Sequence, residues 1–165
     1  DGVLVGGAGA GKSGGDVVEA SSGQIGGGMR NGKDEWAESG KFILGMGEPM
    51  DFSPENTTIG VLMTDAALTV DQANIVAMMA HDGIARATRP SHTLFDGDTL
   101  FVLATGARGA GDLTMVGHAA AVCVGEAIVR GVRMARGLGG VRSEAEEGSE
   151  IRYFDGNDTC FGYWK

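Results

Sequence analysis

Two short runs, TTIGVLMT at residues 57–64 and TLFVLAT at residues 99–105, constrain the fold of this chain more than anything else in it. Both are dense in β-branched and apolar residues, which pack well on a pleated sheet and are stiff against the preceding turn of a helix. Each is followed by a helical signal. Thr69 is placed as an N-cap, with Asp71 and Gln72 in the first turn. Val70, Ala73, Ile75, Val76, Met79, Ile84 and Ala85 then give an amphipathic helix to about Thr88, and Pro90 follows a helix stop. A glycine-rich loop over 106–111 leads to a long helix expected over 112–136, with Val116, Ala120, Cys123, Ala127 and Ile128 among its apolar residues. Strand, helix, strand, helix predicts an α/β layer arrangement with helices packed on a sheet.

The remainder is less regular. Thirteen of the 30 glycines fall in the first 40 residues. Such a segment loses much entropy on ordering and buries little, so residues 1–40 are expected to be loop-rich. Residues 42–46 read as a short strand, and 48–55 as a polar loop punctuated by Pro49 and Pro54. Past residue 137 the pattern fades into an acidic run (Glu144, Glu146, Glu147, Glu150), read as solvated. An aromatic group follows (Tyr153, Phe154, Phe161, Tyr163, Trp164), which either caps the core or docks on a partner subunit.

A chain of 165 residues, 42% hydrophobic, fits one domain with a sizeable core. Its formal net charge of −9 disfavours nucleic-acid binding, because no counterions are released on contact with phosphates. No apolar run approaches the ~20 residues of a membrane span, so no transmembrane helix is expected. No basic-then-apolar leader is visible, and a cytoplasmic location is expected. The two cysteines, Cys123 and Cys160, make neither a four-cysteine zinc site nor a disulfide framework. His81, His92 and His118 lack ligand spacing, so no metal and no cofactor are expected.

Three places could carry chemistry. Residues 6–13, GGAGAGKS, satisfy the pattern GxxxxGK[ST], in which backbone amides cradle phosphates and Lys12 and Ser13 would reach a phosphate and Mg²⁺. A helix must follow Ser13, yet Gly14 and Gly15 come next and cost roughly 1 kcal/mol each in a helix. The second place is the Asn56-Thr57 junction at the start of a strand. Thr57 is either an ordinary strand residue or a latent N-terminal nucleophile. If that bond breaks, Thr57 gains an α-amine of pKa about 7.7–8.0 that can deprotonate its own hydroxyl. The third is Asp96-Gly97-Asp98. It is either a turn, where Asp-Gly tolerates positive φ, or a carboxylate pair facing one way from an extended segment and able to carry a proton.

Over residues 56–106 the sequence resembles the DmpA-type aminopeptidases, the L-aminopeptidase/D-esterase family that includes β-peptidyl aminopeptidases and the nylon-oligomer hydrolase. The strings that carry the likeness are NTTIGV (56–61), TDAALT (64–69) and AHDGIARATRPSHTLFDGDTLFVLATG (80–106). The resemblance implies a precursor that cuts itself before a Ser or Thr, which then heads the smaller subunit as nucleophile. Here that places the cut between Asn56 and Thr57. It makes 57–165 the smaller-subunit region and 1–56 a shortened or divergent larger-subunit region. It also implies that Asp96 and Asp98 are the family's paired side chains, which support self-cleavage and hydrolysis. The fold implied is the four-layer αββα sandwich shared with ornithine acetyltransferase-like proteins, and oligomers are implied too. The larger subunit normally supplies an asparagine for the oxyanion and a lysine or tyrosine near the nucleophile. Asn31 is the candidate for the first, while Lys12, Lys33 and Lys41 are cations without an assigned role. The expected activity is hydrolysis of amide bonds in short peptides or amino-acid amides through an acyl-enzyme, by a homo-oligomer. A P-loop nucleotide-binding protein and a catalytically inactive member of the family are the alternatives.

Overall fold

A computed structural model describes residues 2–31, 33, 35–45, 56–137 and 143. Two three-stranded sheets and three helices make up these residues. The main sheet has the order β1 (Val5–Lys12), β4 (Thr57–Thr64), β6 (Thr99–Ala104). β1 runs antiparallel to β4, and β4 runs parallel to β6. The parallel pair is joined through α2 (Val70–Ala87), and α3 (Leu113–Met134) follows β6. The strand–helix–strand–helix reading therefore holds over this stretch. A smaller sheet, β3-β2-β5, is formed by Ile25–Gly27, Asp16–Val18 and Thr88–Arg89.

Local chemistry explains the helix starts. The Thr69 hydroxyl accepts the Gln72 amide at 3.2 Å, and the Gln72 side chain accepts the Thr69 amide at 2.9 Å, a reciprocal capping box. Asp112 caps α3 by accepting the Met115 amide at 2.8 Å. Both helices lie on the same side of the main sheet, α3 against β1 and α2 against β6, and pack on each other. The core between them contains Leu62, Val76, Ala80, Ile84, Val116, Ala120, Val124 and Ile128. Cys123 is buried there, with its thiol 3.6 Å from the Val5 carbonyl. Met79 packs tightly over Gly117, whereas its neighbour Met78 is 73% exposed. By length and composition α3 could cross a bilayer, with a mean hydropathy of 1.4, contrary to the sequence expectation. Half of that stretch is buried inside the protein, as in a core helix.

Residues 1–40 are loop-rich as expected, and between the loops they supply β1, β2 and β3. One expectation for the first half is corrected: residues 42–45 belong to helix α1 (Ser39–Gly45), not to a strand. Buried Asp16 anchors that helix start, accepting the Ser39 amide and the Ser39 hydroxyl at 2.7 Å each. At the far end of the small sheet, Arg133 of α3 bonds Glu19 at 2.7 Å. The Ser22 hydroxyl and then Arg133 hold the Glu19 carboxyl below its ordinary range. The loop over 48–55, the acidic run and the C-terminal aromatics lie outside the described residues.

Candidate active site

The GxxxxGK run is a strand. Gly6 to Lys12 pair residue by residue with Met63 to Thr57, so the backbone is extended and its amides alternate in direction instead of converging on a phosphate. No helix follows. Ser13 instead closes a tight turn, its hydroxyl donating to the Gly15 carbonyl at 3.0 Å and accepting the Gly15 amide at 3.1 Å. The glycines are there for close approach: a side chain at Gly14 would strike the Asn56 amide, and one at Gly15 the Pro90 carbonyl. Asp65, just past β4, accepts the Leu4 amide at 2.8 Å and pairs with Arg108 at 3.5 Å. The P-loop reading is thereby overturned on geometry.

The register of that ladder has a second consequence. Lys12 is the partner of Thr57. Directly opposed residues of an antiparallel pair share a face, with Cβ atoms roughly 4.5–5.5 Å apart. A lysine to which the sequence assigns no role thus starts on the same face as the candidate nucleophile, directly across the ladder from it.

Thr57 opens β4 and is half-buried. Its hydroxyl donates to the Asn56 carbonyl oxygen at 2.6 Å. That same oxygen accepts the Gly97 amide at 3.0 Å, because Asn56 and Asp96 form a parallel bridge. The carbonyl of the Asn56–Thr57 bond therefore sits between a hydroxyl and a backbone donor. Sequence reading missed the Gly97 amide, although the Asp-Gly-Asp string was the available signal. Glycine fits there for a steric reason as well: an added Cβ would lie 3.0 Å from Thr57 Oγ1.

The two aspartates take different partners. Asp98 is nearly enclosed, 7% exposed at its side chain, and its Oδ1 accepts the Thr58 amide at 2.9 Å. Its Oδ2 lies 3.1 Å from His92 Nδ1. Asp96 turns to its own loop, where Oδ2 accepts both the amide and the hydroxyl of Thr93 at 2.8 Å. So Asn56, Thr57, Gly97 and Asp98 are brought together, while Asp96 supports the turn that carries them. Asn31 is committed elsewhere: in an exposed turn its side-chain amide donates to Glu35 at 3.1 Å, and its oxygen accepts the Lys33 and Glu35 amides.

A cleft of about 530 Å³ reaches the neighbouring Thr58 and is bordered by Ser13, Val17, Thr88 and Ile128 together with several glycines. That volume is in the range of small-molecule sites. Among the described residues, no group of three His, Cys, Asp or Glu side chains is arranged to hold a metal ion.

Known proteins are similar to this chain in sequence. An uncharacterized aminopeptidase of Mycobacterium leprae is 39% identical over 145 residues, covering 77% of this chain and 40% of that protein. An uncharacterized aminopeptidase of Mycobacterium tuberculosis is 43% identical over 103 residues, covering 54% of this chain and 30% of that protein. This chain thus spans about a third of the length of the curated relatives it matches. The profile of peptidase family S58 matches residues 5–145, from the first residue of β1 to beyond α3. The resemblance to DmpA-type enzymes is borne out, and the chain belongs to peptidase family S58.

Proposed function

We propose that this chain carries the self-processing centre of an amide hydrolase of the aminopeptidase type, with Thr57 as nucleophile once the Asn56–Thr57 bond is cut. The observation that carries this reading is the Asn56 carbonyl held between the Thr57 hydroxyl at 2.6 Å and the Gly97 amide at 3.0 Å. For the cut, the hydroxyl turns its lone pair toward the Asn56 carbonyl carbon. The Oγ–C bond forms, the Oγ–H proton passes to the Thr57 nitrogen, and the C–N bond breaks, so the acyl group moves from nitrogen to oxygen and leaves a free amine. The Gly97 amide stabilises the charge that develops on the carbonyl oxygen. Water then cleaves the ester, leaving a carboxylate on Asn56 and a new α-amine on Thr57.

That amine is the general base for later turnovers, which is why no catalytic histidine is required. Thr57 attacks an amide carbonyl, the amine leaves, and water resolves the acyl-enzyme. Lys12, opposite Thr57, adds positive charge where the oxyanion develops. A small, amine-bearing peptide or amide suits an acidic chain of net charge −9 with Asp98 beside the nucleophile. The same reading takes in the four-layer sandwich. The main sheet leaves Ile59, Met63, Phe101 and Leu103 between 44% and 59% exposed on the side away from the helices. That face suits a second sheet, supplied by the larger part of a full-length relative.

The test is an intact-mass measurement on the purified chain near neutral pH, beside Thr57→Ala. The expected outcome is fragments 1–56 and 57–165 from the chain and a single mass from the variant. A single uncut mass in both overturns self-processing and leaves an inactive member of the family.

A further inference from the structure

His92 takes no part in the chemistry described so far. Its Nδ1 is nevertheless 3.1 Å from Asp98 Oδ2, and the other oxygen of that carboxylate holds the Thr58 amide at 2.9 Å. One enclosed carboxylate therefore links an imidazole to the backbone that presents Thr57. The imidazole is 39% exposed, so it joins the buried carboxylate to solvent.

The position of His92 is specified twice. Its φ is +54°, a left-handed conformation that non-glycine residues adopt seldom and keep only where the surroundings fix it. Its ring also stands 5.1 Å from the ring of His81, at an interplanar angle of 51°. His81 comes from α2 and is half-buried. Burial holds its pKa below the ordinary histidine value, charge on His92 lowers it further, and Asp98 opposes both. Among the described residues, the titratable groups set beside His92 are Asp98, just before β6, and His81 from α2. An Nδ1–H donates to the carboxylate in the cationic ring and in one neutral tautomer, but the bond is charge-assisted on both sides only in the cation.

Resting on the reading of Thr57 as nucleophile, we infer that His92 is a positioning residue. Its Nδ1–H fixes the Asp98 carboxylate, Asp98 fixes the Thr58 amide, and that amide sets the angle at which Thr57 meets the carbonyl it attacks. The imidazole makes this arrangement pH-sensitive: loss of its proton weakens the hold on Asp98 and slows the reaction.

Two measurements test this. The first is the rate of the Asn56–Thr57 cut from about pH 5 to about pH 9, the range over which histidine titrates. His92→Ala is expected to cut roughly 10–100-fold more slowly, the worth of a hydrogen bond to a charged group. His92→Asn, whose amide donates but does not titrate, is expected to recover most of the rate and to lose the pH-dependent limb. A wild-type rate and profile in His92→Ala overturns the inference, and so does His92→Asn as slow as His92→Ala. The second is NMR of the uncut Thr57→Ala chain. There the Thr58 amide resonance is expected to move with pH in step with the His92 ring, and to stop moving in an added Asp98→Asn background. A Thr58 amide indifferent to His92 overturns the inference whether or not the chain cuts itself. A wild-type chain that never cuts, with Thr58 still following His92, counts against the nucleophile reading alone.

Discussion

The two faces of the main sheet are built from the same three strands and meet opposite fates. On the helix side, Gly7, Gly9, Gly60 and Leu62 lie under Val124 and Ala127 of α3, and Leu62 is 2% exposed. On the other side, Ile59, Met63, Phe101 and Leu103 stand 54%, 44%, 59% and 57% exposed. The strand period of two puts these sets on opposite faces. Ordinary one-sided sheets alternate apolar with polar residues. Here β4 and β6 are apolar on both faces, the pattern of a sheet built to be covered twice. Three of the four glycines of β1, Gly7, Gly9 and Gly11, lie on the covered face, where small residues let a helix approach closely. The open face uses bulk. The nucleophile candidate sits where this sheet ends, beside a turn packed against the small sheet.

Breaking the covered face should cost most. Leu62→Ala removes a fully buried side chain between sheet and helices, and the cavity adds to the lost burial. The expected loss is about 2–5 kcal/mol, read as a lower midpoint in urea unfolding. Gly83→Ala comes next. An added methyl would collide with the Ala121 carbonyl and lie 2.8 Å from Val124 Cβ, at the crossing of α2 and α3. Helix propensity favours alanine by about 1 kcal/mol, so any net loss measures how rigid the crossing is. Overpacking typically costs about 1–3 kcal/mol, and the expected outcome is a lower thermal midpoint despite better propensity.

The same contrast explains what the sequence made legible. β4, α2, β6 and α3 announce themselves because burial writes a period into their apolar residues, and Thr69 is a cap that local chemistry alone specifies. β1 escapes notice because Gly and Ala carry no such period; its extended form is imposed by pairing with β4. Residues 42–45 misled for the opposite reason, since a short apolar run fits a strand or one turn of helix equally well. At the site, the resemblance singles out Thr57, Asp96 and Asp98 as candidates, but it does not show that the two aspartates diverge, because Thr93 bonds the Asp96 carboxylate and turns it into the loop. The place of Lys12 depends on a register that links residues far apart in the chain. Such long-range pairings are where local reasoning stops.

The smallest expected effect sharpens the comparison from the open side. Phe101 is a large aromatic, yet it is 59% exposed and leaves most of its area in water in the folded chain. Phe101→Ser therefore removes little burial, and surface changes of this kind stay within about 0.5 kcal/mol. The urea midpoint of this chain should hardly move, in contrast to Leu62→Ala on the opposite face. Binding of a hydrophobic dye such as ANS should fall, because the patch that Phe101 shares with Leu103, Ile59 and Met63 is broken up. In a full-length relative, the residue at the same place would stand against a second sheet, and its replacement by serine should then cost several times more. Equal costs in the two proteins would show that this face stays open, and the four-layer reading of the fold would fall with it.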